Sequence, residues 1–254
     1  MTQTLGDLPA DPQADPDLQP PTAARGRGPR QAVLFDIDGT LIVTDGAGAR
    51  SWELAFADLW DVRADISRYS DTGMTDPEVG RRTFEAVMGR GPSPSEFARL
   101  LERRMHFLAM TVAGSSGYHV LPGVEELLPG LVAQGYILGL VTGNLEAAAH
   151  VKLARSGLNR YFSFGGYGSD SADRAEVTRT AMRRCSVVFG KPVPPEQFLA
   201  VGDTPNDVEA AHVAGIECVA VASHKYNIEQ LQRSGADWVV PDLREGLPPL
   251  AEQA

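Results

Sequence analysis

Three short segments hold the residues best suited to chemistry: Asp36-Ile37-Asp38-Gly39-Thr40, Thr142-Gly143-Asn144, and Gly202-Asp203-Thr204-Pro205-Asn206-Asp207. Each follows an apolar run. Asp36 and Asp38 stand two apart in an extended stretch, so their side chains need not share a face. One can face a phosphorus atom while the other reaches a leaving-group oxygen. A carboxylate attacking phosphorus, aided by a second acid, is a recognised covalent route. Gly39 permits a tight bend after the first run. Four carboxylates drawn together would repel and raise one another's pKa, and a divalent cation removes that conflict. Ligands that are all oxygen suit Mg²⁺, and no His or Cys accompanies them to favour zinc or iron.

These segments need elements that bring them to one edge. Ala32–Ile37 is a short apolar run with β-branched and aromatic residues and reads as a buried strand. Tyr136–Asn144, Tyr161–Gly166, Gln197–Asp203 and Glu217–Ser223 read alike, with Asp237–Val240 as a last short strand. Helical patterns separate them. The first, over residues 123–135, carries Pro129, which should disturb it. The next, after Thr142, should end on Gly157 as its C-cap. Strands alternating with helices imply an α/β fold, a Rossmann-like doubly wound parallel sheet covered on both faces. Such sheets bind ligands at the carboxyl ends of their strands, where the three segments lie.

Residues 46–117 break this rhythm with three helical patterns and no buried-strand run, as an inserted all-helical cap would. The expected division is a disordered tail over 1–30, a core over 31–45 and 118–254, and a cap over 46–117. The tail is rich in Asp, Pro, Ala and Gln and too poor in apolar surface to offset its ordering entropy.

With those residues in view, the chain resembles the haloacid dehalogenase-like hydrolase superfamily, in its phosphoglycolate-phosphatase-like branch. The match spans about residues 32–245. Asp36-Ile37-Asp38-Gly39-Thr40-Leu41 fits the first motif, Thr142-Gly143-Asn144 the second, and Gly202-Asp203 through Asp207 the fourth. The resemblance implies a Mg²⁺-dependent phosphatase in which Asp36 is the nucleophile and forms an aspartyl phosphate. Asp38 would protonate the leaving group and then activate water. Thr142 and the Gly143 amide would hold phosphoryl oxygens. Asp203 would ligate Mg²⁺ with the Asp36 carboxylate and the Asp38 carbonyl, and Asp207 would bind the metal through water or orient a basic residue. The family usually places a Lys between the second and fourth motifs. Of the three lysines here, Lys191 lies at the entry of the Gln197–Asp203 strand, on the wrong edge, and Lys152 reads as a structural or surface residue. Arg174, opening the helix before that strand, is assigned the role instead, with a permanent charge and a fork suited to phosphate.

Other residues carry simpler readings. Asn144 is either a helix cap or a substrate contact. Thr204 reads as a turn or cap residue. In the cap segment Asp71-Thr72-Gly73-Met74-Thr75-Asp76-Pro77, Asp76 reads as the N-cap of a helix with Pro77 at its first position, and the resemblance implies that this loop, Thr75 included, touches substrate. Arg50, Arg68, Arg81 and Arg82 read mostly as solvated.

The net charge of −10 argues against nucleic acid, since phosphate-backbone binding needs a basic footprint. No stretch is long and apolar enough to span a bilayer, and no signal peptide is evident. Two separated cysteines, Cys185 and Cys218, suggest thiols in a reducing cytoplasm. The expected partner is a small phosphorylated metabolite; the oligomeric state is not readable. A phosphomutase would use the same motifs, and a phospho-ligand-binding relative without turnover is the non-enzymatic alternative. A dehalogenase needs neither Asp38 nor Asp203. A phosphonate hydrolase of this fold needs a cap lysine, and residues 46–117 contain none.

Overall fold

The computed structural model of the protein describes residues 30–69 and 73–251. Six parallel strands form the sheet in the order β5-β4-β1-β6-β7-β8. They are β1 (Ala32–Phe35), β4 (Ile137–Thr142), β5 (Phe164–Tyr167), β6 (Phe198–Gly202), β7 (Glu217–Val221) and β8 (Trp238–Val240). β1 is buried on both faces, which is why its sequence is a continuous apolar run rather than an alternation. Val33 and Phe35 enter one core layer with Leu128, Leu131 and Leu153 from α4 (Val124–Ala133) and α5 (Glu146–Ala154). Ala32 and Leu34 enter the other with Val177, Ala181, Val208 and Leu231 from α6 (Arg174–Phe189), α7 (Pro205–Val213) and α8 (Ile228–Arg233). A short α9 (Pro248–Ala251) closes the chain's described part.

β1 pairs with β4 on one side and β6 on the other, Phe35 lying between Leu140 and Val201. The strand order therefore switches at β1, and the crevice beyond its carboxyl end is the natural ligand site of such a sheet.

The insertion consists of α1 (Ala47–Trp60), α2 (Asp76–Met88) and α3 (Pro94–Gly114). It has its own core of Trp52, Phe56, Phe84 and Leu100. Gly80 lets α2 approach α1, since a Cβ there would stand 2.8 Å from the Trp52 ring. α3 starts with a capping box in which Ser93 and Glu96 satisfy each other's backbone N–H groups.

The structure corrects several sequence expectations. The insertion leaves and re-enters the core through an antiparallel ribbon, β2 (Ile42–Val43) with β3 (His119–Val120), too short for any period to reveal. β1 ends at Phe35, because the Ile37 carbonyl turns to accept from the Leu41 and Ile42 N–H groups. α4 runs through Pro129, whose ring is exposed, so water can reach the carbonyl that loses its bond. α5 ends at Ala154, and Gly157 sits beyond it with φ of 68°. α2 is capped by Thr75 and begins with Asp76, placing Pro77 second. Arg30, assigned to the tail, is buried and ion-paired with Glu217; the rest of that tail lies outside the described residues.

Candidate active site

The loops after β1, β4 and β6 meet at one cavity of about 270 Å³, lined by Asp36, Asp38, Thr142, Gly143, Asn144 and Thr204, with Asp203 and Asp207 clustered beside Asp36. Asp36 is the first residue past β1, and its N–H continues the ladder to the Val201 carbonyl at 2.9 Å. Only 7% of Asp36 is exposed. Its Oδ1 lies 3.8 Å from Arg174 Nη2, and ligand oxygens of Asp36, Asp203 and Asp207 fall within 4.8 Å of one another.

Gly39 makes this closeness possible. Its φ is +86°, and a Cβ at that position would collide with the Asp203 carboxylate, so the loop closes over Asp203 only as glycine. Asp203 accepts from Thr40 Oγ1 at 3.3 Å. Asp207 opens α7 within a capping box: its Oδ2 accepts from Thr204 Oγ1 at 2.7 Å and from the Thr204 N–H at 3.1 Å. Its Oδ1 hydrogen-bonds Arg174. Thr204 is thus a cap residue, as its sequence position suggested. Arg174 stands at the start of α6, where Asp173 caps by accepting from the Ala175 N–H at 2.9 Å.

The electrostatics follow from this crowding. Burial, then repulsion by Asp207 and Asp38, pushes Asp36 up to about 7 despite the nearby Arg174. Burial, then repulsion by Asp207, Asp36 and Asp38, pushes Asp203 up to about 9. Three buried carboxylates share one guanidinium, and every donor is oxygen. That set fits a hard divalent cation such as Mg²⁺, which would supply the missing positive charge.

Asp38 sits on the other side of the loop. Its side chain is 42% exposed and turned toward Lys152 and Asn144. Desolvation works to raise its pKa, but Lys152 and the hydrogen bond from Asn144 outweigh it and hold the carboxyl below its ordinary value. Lys152 Nζ is 2.6 Å from Asp38 Oδ2 and 2.6 Å from Asn144 Oδ1. Asn144 Nδ2 donates to the same Asp38 oxygen at 2.8 Å and to Thr142 Oγ1 at 2.8 Å. Asn144 is therefore no helix cap; Leu145 takes that position. Lys152, read as structural or surface, is 6% exposed and lines the cavity.

The cap supplies the roof. Asp76 donates its N–H to the Gly143 carbonyl at 2.7 Å, and its Oδ2 accepts from the Leu145 N–H at 2.8 Å. Arg104 from α3 grips that carboxylate at 2.9 Å while stacking 5.0 Å from the Trp52 ring. Arg104, Asp76 and Trp52 all line the cavity. Thr75 is fully buried against Gly168. Its neighbours Met74 and Asp76, not Thr75 itself, form the cavity wall. Arg50 and Arg82 pair with Glu53 and Glu78 on exposed faces, Arg81 stacks on Phe97, and Arg68 is exposed. Asp71 and Thr72 lie outside the described residues. Lys191 is exposed beyond α6, away from the site. A larger groove of about 580 Å³, between α4 and residues 243–246, holds none of these site residues.

Sequence reasoning missed Lys152, Asp76 and Arg104. Arg104 had a signal: it lies on the Leu100–Arg104–Leu108 stripe, a charge at core spacing. Lys152 had little beyond being eight residues past Asn144 on a helix leaving the site.

The fold and the site define the class: a phosphoric monoester hydrolase with a Rossmann-like core and a helical cap. A family model described as haloacid dehalogenase-like hydrolase matches residues 31–215, and the chain belongs to that family. It is 31% identical over 225 residues to a phosphoglycolate phosphatase of Pseudomonas savastanoi pv. phaseolicola, covering 85% of this chain and 78% of that one. It is 32% identical to the phosphoglycolate phosphatase of Rhodospirillum rubrum, covering 84% of this chain and 88% of that one. Among solved structures, CbbY from Rhodobacter sphaeroides in complex with phosphate superposes with a TM-score of 0.68 at 23% identity, covering 85% and 96% of the two chains. A β-phosphoglucomutase from Clostridium difficile superposes with 0.67 at 20% identity, covering 88% and 96%. No described helix is long and apolar enough to cross a membrane. Both cysteines are buried and free.

Proposed function

We propose that the protein hydrolyses the phosphate monoester of a small cytoplasmic metabolite through an aspartyl phosphate on Asp36, with Mg²⁺ as cofactor. The observation that carries this reading is the division of labour between the two acids of one loop. Asp36 points into the buried cluster with Asp203, Asp207 and Arg174, whereas Asp38 is held away from it by Lys152 and Asn144 at the cavity wall. In the first step an Asp36 oxygen attacks phosphorus, the bond to the leaving oxygen breaks, and Asp38, ionised in the free enzyme, delivers there a proton taken up with the substrate. In the second step Asp38 takes a proton from water, which attacks phosphorus and releases phosphate from Asp36. Thr142 Oγ1 and the Gly143 amide hold the phosphoryl oxygens. Arg174, oriented by Asp207, offsets charge on Asp36 and on phosphate. Asp36, Asp203 and the Asp38 carbonyl would hold Mg²⁺, with Asp207 behind them. When bound, Mg²⁺ supplies positive charge to the phosphoryl oxygens.

The cavity is small, which favours a short substrate, and phosphoglycolate, the substrate named for the relatives, is the first to try. We further propose that residues 46–117 act as a cap domain over a core of 31–45 and 118–254, excluding water from the first step. The test is phosphate release from a panel of phosphorylated metabolites, with Mg²⁺ or EDTA. Asp36→Asn should lower turnover at least about 10³-fold. Undiminished release by that variant would overturn the mechanism; a phosphoryl group retained on product would mark a mutase.

A further inference from the structure

We propose that Lys152 is a positioning residue that clamps Asp38 in the geometry needed to reach the leaving oxygen. The inference rests on the reading of Asp38 as the acid and base. The Lys152 side chain is 7% exposed, a costly place for an ammonium unless the group it meets needs it there. Its ammonium donates at 2.6 Å to Asp38 Oδ2 and at 2.6 Å to Asn144 Oδ1. The Asn144 amide donates in turn to the same Asp38 Oδ2 at 2.8 Å. Lysine and asparagine thus hold each other and both hold one oxygen. Among the described residues no hydrogen bond reaches Oδ1, which is the oxygen left to face a substrate. Since Asn144 also donates to Thr142 Oγ1 at 2.8 Å, the clamp ties the acid to the loop that holds phosphate. The lysine is fixed from behind: Tyr118 Oη donates to its backbone carbonyl at 2.8 Å, and the start of α1 covers its tip, with a Cβ at Gly48 placed 3.7 Å from Nζ. Placement within a fraction of an ångström is what proton transfer between heavy atoms requires.

The test compares wild type, Lys152→Met and Lys152→Arg on two phosphate esters, 2-phosphoglycolate and p-nitrophenyl phosphate. The first leaves as an alkoxide that needs a proton; the second leaves as a stabilised phenolate. Lys152→Met should lower kcat on the alkyl ester about 10²-fold with KM changed less than threefold. Its burst of nitrophenolate, which reports the first step alone, should fall less than tenfold. Lys152→Arg should recover part of the loss. A crystal structure of Lys152→Met should show Asp38 rotated away from the cavity. A nitrophenolate burst slowed as much as turnover of the alkyl ester, or a raised KM with kcat kept, would overturn the proposal. If Lys152→Met does not fold, Lys152→Gln serves in its place. An Asp38 left unmoved in the variant structure would overturn it as well, whatever the catalytic results. That structural readout separates failure here from failure of the phosphatase reading, which Asp36→Asn decides.

Discussion

Arg174 is proposed for the role that the resemblance gives a lysine, and its surroundings suit a guanidinium. Asp207 uses both of its oxygens on protein partners, one for the α7 capping box and one for Arg174. Nη2 of the guanidinium meets Asp207 and lies 3.8 Å from Asp36 while Nη1 reaches toward Gly143, a span that a single ammonium would not cover. Arg174→Ala should therefore lower kcat about 10²-fold or more, and Arg174→Lys should recover only part of it, as steady-state kinetics will show. The four acids were legible because each sits at the end of an apolar strand, where a doubly wound sheet gathers its ligands. Lys152 was not, because a helix position says nothing about which strand-end loop its side chain will meet. Asp76 was misread by one residue: the proline behind it marks a helix start, but only tertiary structure shows its carboxylate spent on Leu145 and Arg104 rather than on its own helix.

Helix α2 is held to the core by its first residue. Asp76 gives an N–H to Gly143 and takes one from Leu145, and Arg104, 1% exposed, completes the pair. Breaking a buried ion pair strands the other charge at about 3–5 kcal/mol. Asp76→Ala should cost about that much in urea unfolding and should change the fluorescence of Trp52, on which Arg104 stacks. α4 offers the opposite experiment. Pro129 stands inside the helix with its ring exposed, so Pro129→Ala should restore a hydrogen bond and raise stability by up to about 3 kcal/mol. A lower melting temperature for that variant would show that the proline matches a bend the fold needs. The strands were readable as elements because burial on both faces writes an unbroken apolar run; α4 was readable from its helical period, and only the disturbance expected at Pro129 failed to appear.

For the molecule as a whole, the acid cluster couples folding to pH and, through the proposed cation site, to Mg²⁺. Asp36 and Asp203 have folded pKa values of about 7 and about 9 against an ordinary 3.8. Between those limits the folded protein holds protons that the unfolded chain has released, so stability falls as pH rises, by up to about 1.4 kcal/mol per pH unit for each group. Without metal, the melting temperature should be higher at pH 5 than at pH 8. Added Mg²⁺ should raise it most at pH 8, where both carboxylates are closest to charged and the cation has most repulsion to relieve. A melting temperature indifferent to Mg²⁺ at pH 8 would count against the cation site. The sheet order was not legible, because β1 pairs with residues more than a hundred positions away and nothing local encodes that choice. The ribbon of β2 and β3 escaped notice because two residues make no pattern, yet it sets how this architecture can vary. Ile42 lies beside Val120, and Val43 beside His119, so the two ends of the inserted helices leave the core as neighbours. The core thus offers a socket one strand pair wide. A plug of any length could be exchanged there without shifting a sheet strand, and new substrates could be acquired while the phosphate chemistry stays where it is.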